Sequence, residues 1–541
     1  MSRCTKQLTE GVAIPRLRIE TLWICVPAMA VVWMGLMHPL RMLDFWWHLK
    51  AGEVIFTSRQ IPRVDLFSFT HAGQPFIYQN WLGEVLYYLA YRVGDFPLLI
   101  TLNAILLLVA FLPILRLSLE ASTKPRIASL GSLVAASVLG WYSNIRPQVY
   151  SFVLFALFYW ILWGYRERRR DFLWALPLLM LLWVNLHGAF VLGIGLMGMI
   201  LAVEALRRAL CASSADTLAL SALARLALIL ALTVLACLVN PEGYRVFAYV
   251  RQLQVDPASQ QLVTEWQVPS IKELSGILCF FGPFFLTLLV FFYSRSRLNL
   301  TELVLFLAFA LFGLTAIRNG IWFALIVAPM LARHLAAIEI PVPQGRTHLP
   351  SRLEALLQRL KKRRVGKREA KWLNWAILAC LISFTVLLLP WVRMQLRVER
   401  LRSELVEQGT PIGAMNYIAK HHLAGNIFHP QKYGDYLIWR LWPQQRSFID
   451  GRVHLYPFSF VRDYILTFHD DHWEERLAKY GIQYLLLPKE EETQSMIEGA
   501  RDSERWTLLY EDDISVLFAR KDVGKAQLNH LKNLCTGKVF S

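Results

Sequence analysis

Residues 44–89, DFWWHLKAGEVIFTSRQIPRVDLFSFTHAGQPFIYQNWLGEVLYYL, hold the densest set of side chains able to do chemistry. Asp44 stands just past the first long apolar block, with Trp46, Trp47 and His48 directly behind it. On a helix, Asp44 and His48 are four residues apart and share a face. Asp65 and Glu84 follow in the same segment. A carboxylate beside a headgroup layer can serve as a general base, taking the proton of an acceptor hydroxyl as its oxygen attacks a lipid-linked substrate. The same residues also fit a plainer role, in which Asp44 caps a helix and the tryptophans anchor it at the membrane surface.

Further polar groups stand at the ends of apolar blocks. SNIRPQ carries Arg146, whose planar guanidinium suits a phosphate, though an arginine there can also snorkel. WVNLHG carries Asn185 and His187, and Gly188 also permits an ordinary tight turn. NPEGYRVF carries Asn240 and Glu242 in what also reads as a turn. AIRNGIWF carries Arg318 and Asn319 between two blocks with almost no loop. Arg318 breaks the positive-inside pattern, which favours a role such as phosphate binding, though a helix-end arginine can also snorkel there. Near the C-terminus, FIDGRVHLY offers Asp450, Arg452 and His454, with Asp-Gly as a turn signal. If this region overhangs the membrane, Lys432, Asp435, Asp450 and Arg452 line the acceptor side.

The elements that would position these groups follow from hydropathy. Of 541 residues, 55% are hydrophobic and 18% charged, against about 45–50% and about 25% in soluble domains. Eleven apolar blocks are long enough to cross about 30 Å of hydrocarbon: 21–40, 97–116, 127–142, 149–165, 172–186, 189–206, 225–239, 276–293, 300–317, 320–338 and 373–391. The net charge of +17 concentrates in alternate loops, at Arg166-Glu167-Arg168-Arg169-Arg170, Arg207-Arg208, Arg295, Arg297 and Lys361-Lys362-Arg363-Arg364. That is the positive-inside pattern rather than a nucleic-acid face. Block 21–40 follows Arg3, Lys6, Arg16 and Arg18 and reads as a retained signal anchor with a cytoplasmic N-terminus. The odd span count then puts residues 392–541 outside, which in a bacterium is the periplasm.

Two outside loops are long, 41–96 and 240–275. Within the first, Phe45–Thr57 and Trp81–Val93 are predicted to be amphipathic helices lying in the membrane interface. The transmembrane domain is expected over 1–391 and a soluble domain over 392–541. In the latter, 411–424 and HWEERLAKYG read as helices. GNIFHP, RSFID and IQYLLLP read as strands, and WTLLYEDDISVLFAR as a hairpin turning at Asp512-Asp513. The alternation predicts a small α/β domain. Of seven cysteines only Cys535 falls in that domain, so it holds no disulfide framework within one chain. There is no Cys/His cluster with zinc spacing, and no phosphate-cradling glycine loop. Nothing in the pattern calls for a divalent metal, although it leaves room for one.

The D-x-W-W-H-L-x-x-G run, IPRVDLFSFTHAGQPF and YGDYLIWRLWP…SFIDGRVHLY resemble a bacterial branch of the GT-C superfamily of polytopic glycosyltransferases. That branch is similar to protein O-mannosyltransferases and aminoarabinose transferases of lipid A. The resemblance implies a polytopic α-helical membrane protein with a small C-terminal α/β domain. It implies transfer of a sugar from a polyprenyl-phosphate-linked donor to a glycan, lipid or protein acceptor at the outer face of the cytoplasmic (inner) membrane. Asp44 takes the catalytic-base position. Phe45 stands where an adjacent second acid is usual, so Asp65 and Glu84 are candidates to assist, with His48 on the shared face. Arg146, His187, Glu242, Arg318, Asn319, Lys432, Asp450 and Arg452 are the candidates for substrate and phosphate binding. Membrane lipids are expected partners and nucleic acid is not.

Two other functions compete. A transporter or flippase needs polar groups at mid-membrane, whereas the span centres here are mostly apolar. A non-catalytic scaffold would merely display the C-terminal domain.

Overall fold

Among the described residues of the computed structural model (17–210, 217–339, 371–395, 405–469 and 472–521), eleven helices occupy the eleven predicted spans. Lys361-Lys362-Arg363-Arg364, Arg3, Lys6, Arg16 and Cys4, Cys211 and Cys535 lie outside these residues. The spans begin with α1 (Ile19–Met37); α2 (Phe45–Ser58) belongs to the first loop; α3 (Trp81–Ser122), α4 (Pro125–Trp141), α5 (Gln148–Arg166), α6 (Ala175–Leu186), α7 (Val191–Leu210) and α8 (Leu220–Ala236) follow. The helical stretches Leu274–Tyr293, Leu300–Thr315, Gly320–Ala336 and Lys371–Leu388 complete the bundle. Six of the eleven are long and apolar enough to cross a membrane by length and composition.

Helix Gly320–Ala336 is apolar all round and almost wholly buried, packed against α3 and α4, so it forms the axis of the bundle. On the outer side of α3, Leu102, Ile105, Val109 and Leu112 recur at helical spacing and stay exposed. That stripe is stable only against lipid.

The first loop departs from its predicted form. α2 is buried from Phe45 through Gly52, between α3 and helix Gln431–Leu441 of the C-terminal domain. Over these two turns it has no face left for headgroups, and Trp46 and Trp47 are core residues rather than membrane anchors. A Cβ on Gly52 would collide with the Glu84 carbonyl, so α2 and α3 meet backbone to backbone there. The second predicted interfacial helix and the second span are one element, α3, bent at Gly94 and Asp95, where Asp95 takes φ 54°.

The C-terminal domain is a four-stranded sheet of order β1-β2-β4-β3, with β1 (Asn426–Phe428), β2 (Ile482–Pro488), β3 (Trp506–Glu511) and β4 (Ser515–Arg520). β1 runs parallel to β2, and the other pairs are antiparallel. At the predicted hairpin turn, the Asp512 carboxylate accepts the N–H groups of Ile514 and Ser515 at 3.0 and 2.7 Å. RSFID does not join the sheet. Its Ser447 forms a parallel bridge with Ser68 of the first loop, exchanging backbone bonds of 2.9 and 3.0 Å with Phe67 and Phe69. Leu40 pairs likewise with Leu405 and Glu407. The extended segment thus binds the first loop to the C-terminal domain, a partner that local strand propensity does not specify.

Candidate functional site

Asp44 opens α2 just after α1, and its carboxylate lies 3.8 Å from the Nε of Arg146. Arg146 sits in the short α4–α5 connection and donates through Nη1 to both oxygens of Glu265 at 2.7 and 2.9 Å. Glu265 belongs to a single turn, Thr264–Trp266, in the second long loop. The next residue, Trp266, lies 4.5 Å from the Arg318 guanidinium, face to cation. A backbone bond of 2.8 Å from Ile317 to Gln267 ties that turn to the Arg318 connection.

The C-terminal domain closes the group. Asp435, on helix Gln431–Leu441, accepts the Gly451 N–H at 2.8 Å. A Cβ on Gly451 would stand 2.5 Å from an Asp44 oxygen and 2.7 Å from an Asp435 oxygen. Only glycine permits that approach, and it brings two carboxylates from opposite ends of the chain against one backbone position.

The electrostatics separate three acids. Burial raises the Glu265 carboxyl, but Arg146 and Arg318 outweigh it and hold the group below the usual range. Asp44 goes the other way: burial raises it, Arg146 opposes, the Glu265 charge adds to the rise, and the net is upward. Asp435 is held well above the usual range by burial and then by the Asp44 charge. Asp44 is enclosed by protein yet keeps 35% of its side chain accessible, so it lines a crevice rather than a core. The buried Nε of Arg146 has no hydrogen-bond partner among the described residues, and Asp44 is too distant to be one.

Next to this group lies a closed network. Arg452 is fully buried and donates to Asp450 at 2.9 and 2.7 Å and to Asp65 at 2.5 Å. Its guanidinium stands 5.1 and 5.2 Å from the Phe67 and Phe76 rings. Ser447 and Tyr456 donate to Asp450, each at 2.8 Å. Burial raises Asp450, but Arg452 and these donors hold its carboxyl below the usual range. Asp65 also accepts the Phe67 and Ser68 N–H groups at 2.9 and 3.1 Å. Gly451 lies between Asp450 and Arg452 in sequence, so this network sets the backbone that meets Asp44.

The remaining candidates take other positions. His48 turns to Glu84 at 2.8 Å, and burial keeps its imidazole well below its usual range. Ser151 and the His187 ring lie 2.9 Å apart. Asn319 turns back to Thr315 at 2.9 Å. Glu242 lines a small crevice with Tyr78 and Gln79, and Lys432 pairs with Glu490 at the domain surface. The structure thus brings Asp44, Arg146 and Arg318 together and leaves Glu242 and Lys432 elsewhere. Sequence reasoning missed Glu265 and Trp266, because no spacing rule links Glu265 to an arginine 119 positions away. Among the described residues, no three His, Cys, Asp or Glu side chains gather as a metal-ligand set.

Neither a protein-family model nor a curated protein matches the sequence. Solved structures do. The oligosaccharyltransferase AglB from Archaeoglobus fulgidus, in complex with an inhibitory peptide and a dolichol-phosphate, superposes with a TM-score of 0.54 at 12% identity over 93% of this chain and 74% of that one. This is the GT-C fold. The apo form of the Archaeoglobus enzyme gives a TM-score of 0.52 at 13% identity, over 93% of this chain and 74% of that one. Arabinofuranosyltransferase AftD from Mycobacteria gives 0.50 at 14% identity, over 92% of this chain and 41% of that one. The expected polytopic bundle with a small C-terminal α/β domain is therefore borne out as a GT-C architecture. At such identities the likeness concerns the backbone, and the chemistry has to be argued from this chain's own residues.

Proposed function

We propose that the protein is a GT-C-type glycosyltransferase that moves a sugar from a polyprenyl-phosphate-linked donor to an acceptor hydroxyl, with Asp44 as general base. The observation that carries this reading is the accessible Asp44 carboxylate 3.8 Å from a buried Arg146 Nε that lacks a partner among the described residues. The AglB structure of the same fold was solved with a dolichol-phosphate, which supports a lipid-phosphate donor.

In this mechanism the acceptor oxygen bonds to the anomeric carbon and its proton passes to Asp44. The bond from that carbon to the phosphate oxygen breaks, and the electron pair leaves with the polyprenyl phosphate. The phosphate gains a negative charge as it departs. Arg146 and Arg318 therefore hold it more strongly in the transition state than in the bound donor. Glu265 occupies these cations until the donor displaces it. His48 and Glu84 fix α2 against α3, and Asp65, Asp450 and Arg452 fix Gly451. Asp435 stands beside the base as the second carboxyl group. His187 and Asn319 bond instead to Ser151 and Thr315, and Glu242 and Lys432, which lie elsewhere, take no part in the transfer step.

The arginine-rich helix ends lie on the face opposite Asp44, which supports a cytoplasmic N-terminus and a C-terminal domain in the periplasm. The reaction then takes place at the outer face of the inner membrane, during assembly of the cell envelope. Replacing Asp44 by Asn should reduce release of polyprenyl phosphate from such donors by about 10²–10⁴-fold while donor binding changes little. Full activity of Asp44→Asn at normal expression would exclude the base assignment.

A further inference from the structure

On the face of the bundle opposite Asp44, the ends of five helices surround a cavity of about 510 Å³. That is within the range of small-molecule sites, about 300–1,000 Å³. Arg166, Arg168, Arg169, Arg207 and Arg333 line it, against Glu120, Glu167 and Glu302 on the wall and Glu204 directly behind it, which leaves one positive charge in excess. Leu117, Tyr159 and Met330 stand behind this wall, almost fully buried, and the accessible lining is mainly polar.

The arginines are held in place. Glu204 is fully buried behind the wall and binds Arg166 at 2.8 Å and Arg207 at 2.9 Å, while Thr301 donates to it at 2.6 Å. Glu302, itself buried, holds Arg333 at 2.7 Å. Arg169 is the looser member, 44% exposed and 3.4 Å from Glu120. Cations at helix C-termini and on a cytoplasmic face are ordinary. Those rules explain Arg295, which pairs with Glu339 at 2.5 Å on the same face and does not line the cavity. They do not explain arginines braced from behind around one shared cavity.

We propose that this cavity binds a phosphate-bearing group, its anion held among Arg166, Arg207, Arg169 and Arg333. The guanidinium fork matches phosphate oxygens, and the fixed partners behind it lower the ordering cost of binding. The position at a membrane boundary and the mainly polar, arginine-lined wall fit a phospholipid headgroup. A free phosphate would use the same cations.

The test uses the purified full chain. Native mass spectrometry would compare retention of phosphatidylglycerol with that of diacylglycerol, which lacks the phosphate, with and without millimolar inorganic phosphate. Preferential retention of one phosphatidylglycerol that phosphate does not displace assigns the site to lipid. Binding of inorganic phosphate that displaces the lipid assigns it to the free anion. In either case R169Q/R333Q should weaken binding by about tenfold for each arginine removed, and R295Q should leave it unchanged. If the double variant does not fold, R169Q alone carries the comparison, since that side chain is the most loosely engaged. Equal retention of both lipids with no phosphate binding overturns the proposal. So does an equal loss in R295Q, which would show only diffuse attraction to a basic face.

Discussion

Arg146 and Arg452 lie in adjoining networks and do opposite things. Arg452 is sealed: every direction of its guanidinium meets a carboxylate of Asp65 or Asp450 or an aromatic ring, and none of its surface reaches water. Arg146 is engaged through one nitrogen by Glu265, while its Nε faces Asp44 from beyond hydrogen-bond distance. A saturated cation rigidifies; a partly satisfied one beside an accessible carboxylate is poised for a ligand. Desolvation applies to both, and the number of bonded partners separates them.

Breaking the sealed network should have the largest effect on stability. Arg452→Met leaves Asp65 and Asp450 buried without their cation, which should cost about 3–5 kcal/mol and lower the thermal unfolding midpoint in detergent. A variant as stable as the parent would show that the network does not hold the two regions together. The Asp44→Asn variant supplies the contrast, losing transfer activity while its unfolding midpoint stays close to the parent's.

Asp435 sharpens the comparison through pH. Its carboxyl is raised well above 3.8 by burial and Asp44, so from about that value upward the unfolded chain releases a proton that the folded protein retains. Stability therefore falls as pH rises through this window, until the folded group also ionises. Asp435→Asn should flatten that fall and be at least as stable at neutral pH, as measured by thermal unfolding across a pH series. A steeper fall in the variant would contradict the assignment.

The smallest effect is expected at Glu265. Removing its charge frees Arg146 and Arg318, so Glu265→Gln should lower KM for a polyprenyl-phosphate donor a few-fold, with kcat nearly unchanged. A higher KM would mean that Glu265 positions the arginines for the donor instead of competing with it.

Much of this is legible in the sequence. The eleven helices follow from apolar run length, because the hydrocarbon layer sets a minimum that few other folds require. The hairpin at Asp512 and the strand IQYLLLP follow from local turn chemistry and apolar pattern. In the first loop, amphipathicity points to lipid, whereas the structure covers α2 with protein. The period of α2 says that it is covered, but it does not say that helix Gln431–Leu441 covers it. RSFID likewise reads as a sheet strand but pairs with the first loop, since strand propensity names no partner.

The sequence by itself determined the membrane architecture, the alternation of basic loops and the placing of Asp44 and the arginines at helix ends, because these depend on residues near one another in the chain. The tertiary structure alone decided which of those ends meet. It set Glu265 between Arg146 and Arg318, laid Gly451 against both Asp44 and Asp435, and sealed Arg452 away from them. Such pairings depend on loop closure and packing over hundreds of residues, and no local period or spacing encodes them.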